Sequence, residues 1–448
     1  LAEPAFRRFN AADMRWLYTI CYSIGFVLLT PLFLYKMWKR GKYKENFFQR
    51  FGRYAPEMFR RLREKKEKRC WVQAVSVGEV NLALPFIAAL RKRFPDLRVI
   101  LTTTTSTGYA LAKQRLQVGA THASPLPASV PKEVELLYFP QDFPFAVRRA
   151  YDLIQPYFIV LMESELWPNH IWEAARRNVP VFLVNARMSP RSAARHARFC
   201  WPFCHVWPCL RLVCVQSQPD YDHYLAAGVP REKLSLTGNL KYDASLSQTG
   251  QRPSLPRVGD GRPVLVAGST WTGEEEILFD ILAKIPKLFL VLVPRHVERT
   301  PEILELAKRK GVTLALRKGE PSSGGDCLLV NTTGELKWFY ETATVIFVGK
   351  SLAGNIGGQN IVEAAASGHP VLFGPHMENF KEISRQFIEA GACVPVADGN
   401  ELRRAVEELL GDAARRERIV AAARQVIAAN IGATERTVEL IAAHLSAP

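Results

Sequence analysis

Acids and hydroxyls recur in this sequence where a hydrophobic run passes into a helical one. The first such place is Ser76, Val77, Gly78 and Glu79, after WVQAV, with a helix expected from about Glu79. A carboxylate there lies near the positive end of the helix dipole, which keeps it ionised and able to take a proton, as a general base must. The same position suits a helix-capping glutamate, and spacing alone leaves both readings open. A second run ends in MESELWP, with Glu163 and Glu165 beside Trp167. Pro168 suits a first helical position, so both acids fall on the strand-to-helix turn. After RVILTTTT, residues Ser106, Thr107 and Gly108 offer hydroxyls and N–H groups at a helix start, a place for a phosphate and equally for an ordinary N-cap. Asn185, Ala186 and Arg187 end a further run, and Arg187 adds a fixed cation to that rim.

The second half of the chain has its own set. LFLVLVPRH delivers Arg295 and His296, and GNIGGQNIVEAAASG is glycine-rich and then helical, with Asn360 and Glu363 at i, i+3. Backbone donors at such a start suit a phosphate, and Glu363 suits two ribose hydroxyls. Neither a GxxxxGK[ST] loop nor a strand-linked GxGxxG is present, which argues against ATPases and dinucleotide oxidoreductases.

Short β-branched runs alternating with longer helical ones are needed to position these residues. WVQAVSV, RVILTTTT, YFIVLME, VPVFLVNA and LRLVCVQS occupy the first half, and PVLVAGS, LFLVLVPRH, CLLVNTT, TVIFVGKSL and PVLFGP the second. Continuous apolar strands imply parallel sheets covered on both faces. Residues 244–261 are polar and rich in Pro, Gly and Ser, and read as a linker. The expected architecture is α/β: two Rossmann-like, doubly wound domains, 70–243 and 262–448, the latter with the C-terminal helices. They are expected to face a cleft lined by strand carboxyl ends.

The chain has 448 residues, enough for two or three domains. At 48% hydrophobic and 10% aromatic it has too much apolar surface for disorder, and 28 Gly with 29 Pro excludes fibrous classes. The formal charge is +16, but residues 1–70 alone hold 17 Lys/Arg against 6 Asp/Glu. The basic surface that grips nucleic acid is therefore not expected over the remainder.

That basic cluster follows a candidate membrane anchor. Trp16 to Tyr35 is 20 residues without a charge, roughly the length that spans a bilayer's hydrocarbon as a helix. Aromatic residues stand at both ends, and residues 36–69 then carry 14 Lys/Arg, ending in RRLREKKEKR from Arg60 to Arg69. The positive-inside rule puts this side in the cytoplasm, where the segment would attract anionic lipids of the inner membrane. Residues 1–15 read as a disordered or extraneous lead. The eight cysteines include Cys200, Cys204, Cys209 and Cys214 near His196 and His205, but lack the paired spacing of a zinc site. Reduced, mostly buried thiols are expected, with no metal and no cofactor.

Nine motifs occur in one order: SVGE (76–79), MESELWPN (162–169), NARMS (185–189), TGNLKYD (237–243), VPRH (293–296), TTGEL (332–336), FVGKSL (347–352), GGQNIVEAA (357–365) and FGPHMENF (373–380). This pattern resembles the bacterial 3-deoxy-D-manno-octulosonic acid (Kdo) transferases of lipopolysaccharide synthesis, glycosyltransferase family 30. The resemblance implies a GT-B fold, CMP-Kdo as donor, a lipid A precursor as acceptor at the inner membrane, and inversion without a metal. It assigns Glu79 as the general base and a second essential acid in MESELWPN, Glu165 in preference to Glu163. It places CMP on Arg295, His296, Gly334, Leu336, Asn360 and Glu363, makes Lys241 donor-facing, and leaves Ser76, Gly78, Ser106, Thr107 and Arg187 for the acceptor. The chain departs from the family pattern at Lys350, where glycine is usual, and at Gln359, where histidine is usual. The competing readings are a GT-B-like nucleotide-sugar epimerase, another membrane-associated nucleotide-sugar glycosyltransferase, and a non-catalytic membrane tether.

Overall fold

A computed structural model of the chain describes residues 11–40, 46–63, 67–118, 134–199, 203–246, 253–318 and 325–446, excepting the side chains of 11–13, 33–34, 36–40, 63 and 118. The apolar runs form strands because helices cover both faces of each sheet. In the first unit these are β1 (Arg69–Gln73), β2 (Arg98–Thr103), β3 (Val134–Tyr138), β4 (Phe158–Met162), β5 (Val181–Ala186), β6 (Leu212–Val215) and β7 (Leu234–Leu236). The second unit has β8 (Val264–Thr270), β9 (Phe289–Pro294), β10 (Leu314–Leu316), β11 (Cys327–Leu329), β12 (Val345–Val348), β13 (Val371–Phe373) and β14 (Val394–Pro395).

The sheet orders are β3-β2-β1-β4-β5-β6-β7 and β10-β11-β9-β8-β12-β13-β14, with every pairing parallel. In each sheet the strand order reverses at a switch point, β1/β4 in the first and β8/β12 in the second, where β10 takes the edge before β11 fills the place between it and β9. Crevices at strand carboxyl ends beside such points are where open α/β sheets bind ligands. Successive β1 residues supply opposite layers of the core: Trp71 joins Phe139 and Tyr151 on one face, and Val72 joins Phe86 and Phe158 on the other. Side-chain alternation along a strand dictates this division.

The two compact units comprise Leu1–Gly250 with Ile431–Pro448, and Gln251–Asn430. The expected assignment of all C-terminal helices to the second domain is therefore corrected. The last helix, Ala433–Ser446, puts Ala433, Val438 and Ile441 into the same apolar cluster as Val80 and Leu84 of the first unit. Asp243 fixes its start, accepting from Gly432 N at 2.7 Å and Thr434 N at 2.6 Å.

The first helix, Ala11–Arg40, includes Pro31 and packs along the first unit. Arg15 reaches Glu173 at 3.4 Å, the Tyr18 hydroxyl donates to Asp142 at 2.8 Å, and the Tyr22 hydroxyl donates to Gln141 at 2.8 Å. Phe26 meets Phe143 edge-on at 5.0 Å. Among the described residues, no helix is long and apolar enough to cross a membrane. The expected spanning anchor is thus not established; Phe33 and Leu34 of that stretch lie outside the described side chains. The basic run also divides. Arg69 is buried and donates to the carbonyls of Leu62 and Ile154, so it is part of the fold rather than of a lipid-facing apron. Arg61 pairs with Glu135, and Lys65 and Lys66 lie outside the described residues.

Candidate active site

In the first unit, the helix Val77–Arg93 starts two residues before the expected point, with Ser76 as its N-cap. Ser76 Oγ accepts from Glu79 N at 3.4 Å and donates to Glu79 Oε1 at 3.2 Å, while Val75 N donates to Glu79 Oε2 at 2.8 Å. This is a variant of the S-x-x-E cap in which Glu79 takes the amide just ahead of the Ser76 cap, so Glu79 caps the helix start and is held in one orientation. Burial pushes its carboxyl up to about 7, and the charges of Glu165 and Glu163 add to this against the Val75 and Ser76 hydrogen bonds. A carboxylate poised near neutrality is matched to general-base work, which the cap by itself does not require.

The acid loop follows β4 at the neighbouring strand end, and Pro168 begins the helix Pro168–Arg176 as expected. Glu163 is buried with φ of +55°, 2.9 Å from Arg187 Nε and 3.7 Å from Lys241 Nζ. Glu165 has no cation within ion-pair distance among the described residues. Its Oε2 accepts from Trp167 Nε1 at 2.8 Å, and burial raises its carboxyl. The two acids are therefore distinct: Glu163 lies between two cations, whereas Glu165 has none beside it and its charge acts on Glu79.

Lys241, expected in the first domain and facing the donor, stands in the first unit against Glu163. Burial lowers its ammonium pKa, with Glu163 opposing. A ring of buried amides that the sequence reading missed mounts this lysine. Asn185 Oδ1 accepts from Leu240 N at 3.0 Å, Gln216 Nε2 donates to Asn185 O at 2.7 Å, and Asn239 Nδ2 donates to Gln216 Oε1 at 2.9 Å. The available signal was an amide side chain at or just beyond the end of β5, β6 and β7 in turn.

The hydroxyl-rich end of β2 forms an N-cap, one of the two readings open for it. Thr105 makes the cap before Ser106 and Thr107: its Oγ1 accepts from Gly108 N at 3.1 Å and donates to Val75 O at 2.9 Å. The Gly108 N–H is thus occupied. A β-carbon on Gly108 would stand 2.9 Å from Thr105 Oγ1 and 3.3 Å from Val75 O, so glycine permits the close approach that steadies the loop ahead of Glu79.

In the second unit, Arg295 and His296 are exposed just beyond β9, and Arg295 N donates to Thr270 O at 3.1 Å. Gly334 has φ of +85°, and Leu336 opens the helix Leu336–Tyr340. Asn360 caps the helix Ile361–Ala366, its Oδ1 accepting from Val362 N at 3.0 Å. Glu363 on that helix has its carboxyl raised by burial, with Lys337 opposing. The sequence reading missed Glu274. It is 1% exposed and accepts from the amides of Trp271, Lys350, Ser351 and Leu352 at 2.8 to 2.9 Å. Nothing in the run GEEEI marks this glutamate apart from its neighbours.

Two parallel doubly wound units of this kind define a GT-B-like class of α/β protein. A crystal structure of a putative UDP-N-acetylglucosamine 2-epimerase from Listeria monocytogenes has the same fold at a TM-score of 0.57, with 15% identity over 84% of this chain and 96% of that one. The family profile described as 3-deoxy-D-manno-octulosonic-acid transferase (kdotransferase) matches residues 45–244. The 3-deoxy-D-manno-octulosonic acid transferase of Haemophilus influenzae is 33% identical over 417 residues, covering 91% of this chain and 93% of the relative. That of Bordetella pertussis is 33% identical over 435 residues, covering 94% and 98%. The chain belongs to the 3-deoxy-D-manno-octulosonic acid transferase family, and it is a glycosyltransferase.

Proposed function

We propose that the protein transfers Kdo from CMP-Kdo to a lipid A precursor in lipopolysaccharide core synthesis, by a single inverting, metal-independent displacement. The observation that carries the mechanism is Glu79, held by its own cap with its carboxyl at about 7 among Glu163 and Glu165. In this reading the acceptor hydroxyl attacks the anomeric carbon of Kdo and its proton passes to Glu79. The bond from that carbon to the phosphate oxygen breaks on the opposite face, and CMP departs with the electron pair. Arg295 meets the developing phosphate charge, and Glu363 receives the ribose hydroxyls. A monophosphate leaving group carries less charge than a diphosphate, which is consistent with protein cations sufficing.

The membrane part of the reading rests on the first helix. Leu17, Ile20, Ile24, Val27 and Leu28 form an exposed apolar stripe, with Val27 68% and Leu28 73% exposed, while Tyr18, Tyr22 and Phe26 face the first unit. A helix with one docked side and one greasy side suits insertion into the cytoplasmic face of the inner membrane, where a lipid acceptor resides. The test is CMP release from CMP-Kdo with and without the lipid acceptor. Release that requires the acceptor and yields a Kdo-lipid supports the proposal. Acceptor-independent turnover would support an epimerase-like isomerisation or hydrolysis, and no turnover would leave a tether.

A further inference from the structure

After β12 the chain turns at Lys350 with φ of +59°, a left-handed conformation that a residue with a β-carbon adopts only when its surroundings compel it. The compulsion is visible. Glu274 accepts from Lys350 N at 2.8 Å, and from Ser351 N and Leu352 N at 2.9 Å, while Lys350 O accepts from Gly358 N at 3.0 Å. Glycine would make this turn without strain, so the backbone gives no reason for a lysine. Backbone strain that persists in a fully supported loop is a pointer to function.

The side chain lies at the second sheet's switch point, between the ends of β8 and β12, where ligands bind in this architecture. Its Nζ rests 4.8 Å from the centre of the Trp271 ring, and that ring meets His296 edge-on at 5.2 Å. A β-carbon on Gly357 would be 3.5 Å from Lys350 Nζ and 2.6 Å from Asn379 Nδ2, so glycine at 357 keeps the approach to the ammonium open. Among the described residues no carboxylate lies within ion-pair distance of Lys350. The Thr270 hydroxyl, fully buried at the end of β8, has no hydrogen-bond partner, and neither has the Trp271 indole N–H.

We propose that Lys350 binds the phosphate of the nucleotide donor, a specificity-determining contact made by a lysine where glycine would satisfy the backbone. This rests on the CMP-donor reading and adds a cation, steadied on Trp271, beside Arg295 and His296. Calorimetry of the full chain with CMP and with cytidine tests it. Lys350→Met should weaken CMP about 10-fold or more, as loss of a charge-assisted bond would, and leave cytidine unchanged. Lys350→Arg should recover most of the CMP affinity. Lys350→Gly should weaken CMP as Lys350→Met does while raising the melting temperature, because it relieves the left-handed turn. CMP affinity that survives Lys350→Met, or equal losses for CMP and cytidine, would overturn the assignment, the first pointing to the sugar acid's carboxylate and the second to a scaffold role. Failure of the unaltered protein to bind CMP would instead sink the donor reading itself.

Discussion

Tyr18, in the first helix, donates its hydroxyl to Asp142 Oδ2 at 2.8 Å, and Asp142 in turn accepts from Asn169 N and His170 N at 3.1 Å. Those two amides open the helix that follows the Glu163–Glu165 turn, so the seat of the first helix and the start of the acid-bearing segment share one carboxylate. Tyr18→Phe keeps the ring packing and removes the bond. We expect amides across residues 15–30 to open more easily by about 1 to 2 kcal/mol, seen as faster hydrogen exchange. Exchange identical to that of the unaltered protein would show that the helix is held by packing alone.

The position of Glu79 predicts a pH profile. The base must be unprotonated, and burial with two neighbouring carboxylates raises its pKa to about 7. Accordingly kcat/KM should rise with pH through about 7. Glu165→Gln removes a like charge, so the rising limb should move to lower pH; a limb that stays put or moves upward would contradict the coupling.

Glu79→Gln preserves shape and removes basicity. Turnover should fall by about 100-fold or more with CMP affinity nearly unchanged, as for loss of a general base. Activity within a few-fold of normal would return Glu79 to a capping role.

Arg295 is exposed in the second unit, so its loss should affect the donor and not the fold. Arg295→Ala should weaken CMP binding by about 1.5 to 3 kcal/mol by calorimetry, the worth of a hydrogen bond to a charged group. An unaltered affinity would place the phosphate elsewhere.

The stripe on the first helix predicts partition to lipid. Ile24→Asp with Leu28→Asp should reduce binding to anionic vesicles by at least about 10-fold, because two apolar groups and their buried area are lost from the interface. Binding should also weaken as salt rises. Vesicle binding indifferent to both changes would mean that some other surface meets the membrane.

How far the sequence reveals this fold depends on where each residue sits. Central strands such as β4 and β9 read clearly because both faces are buried and their runs are unbroken. The four sheet edges β3, β7, β10 and β14 did not, since they are two to five residues long and partly exposed, which erases the continuous apolar signal. The acids at the strand-to-helix turns were legible from type and place. The raised pKa of Glu79 was not, because it comes first from burial in the folded unit and then from Glu165 on the adjacent strand end, far away in sequence. Asn239 donates to Gln216, Gln216 to the Asn185 carbonyl, and Leu240 N to the Asn185 side chain, a relation across strand ends that no local window contains. Periodicity likewise shows that the last helix has an apolar face, but not which sheet that face covers.

That last helix has a consequence for synthesis. Ala433, Val438 and Ile441 complete an apolar layer begun by Val80 and Leu84, yet the whole of 251–430 is translated in between. At ordinary elongation rates the nascent first unit waits about 10 to 40 s with that layer uncovered. The segment made first is the one finished last. During that interval the growing chain presents a greasy groove to whatever is nearby, making ribosome-associated chaperones, or early docking at a bilayer, part of how this protein reaches its native state.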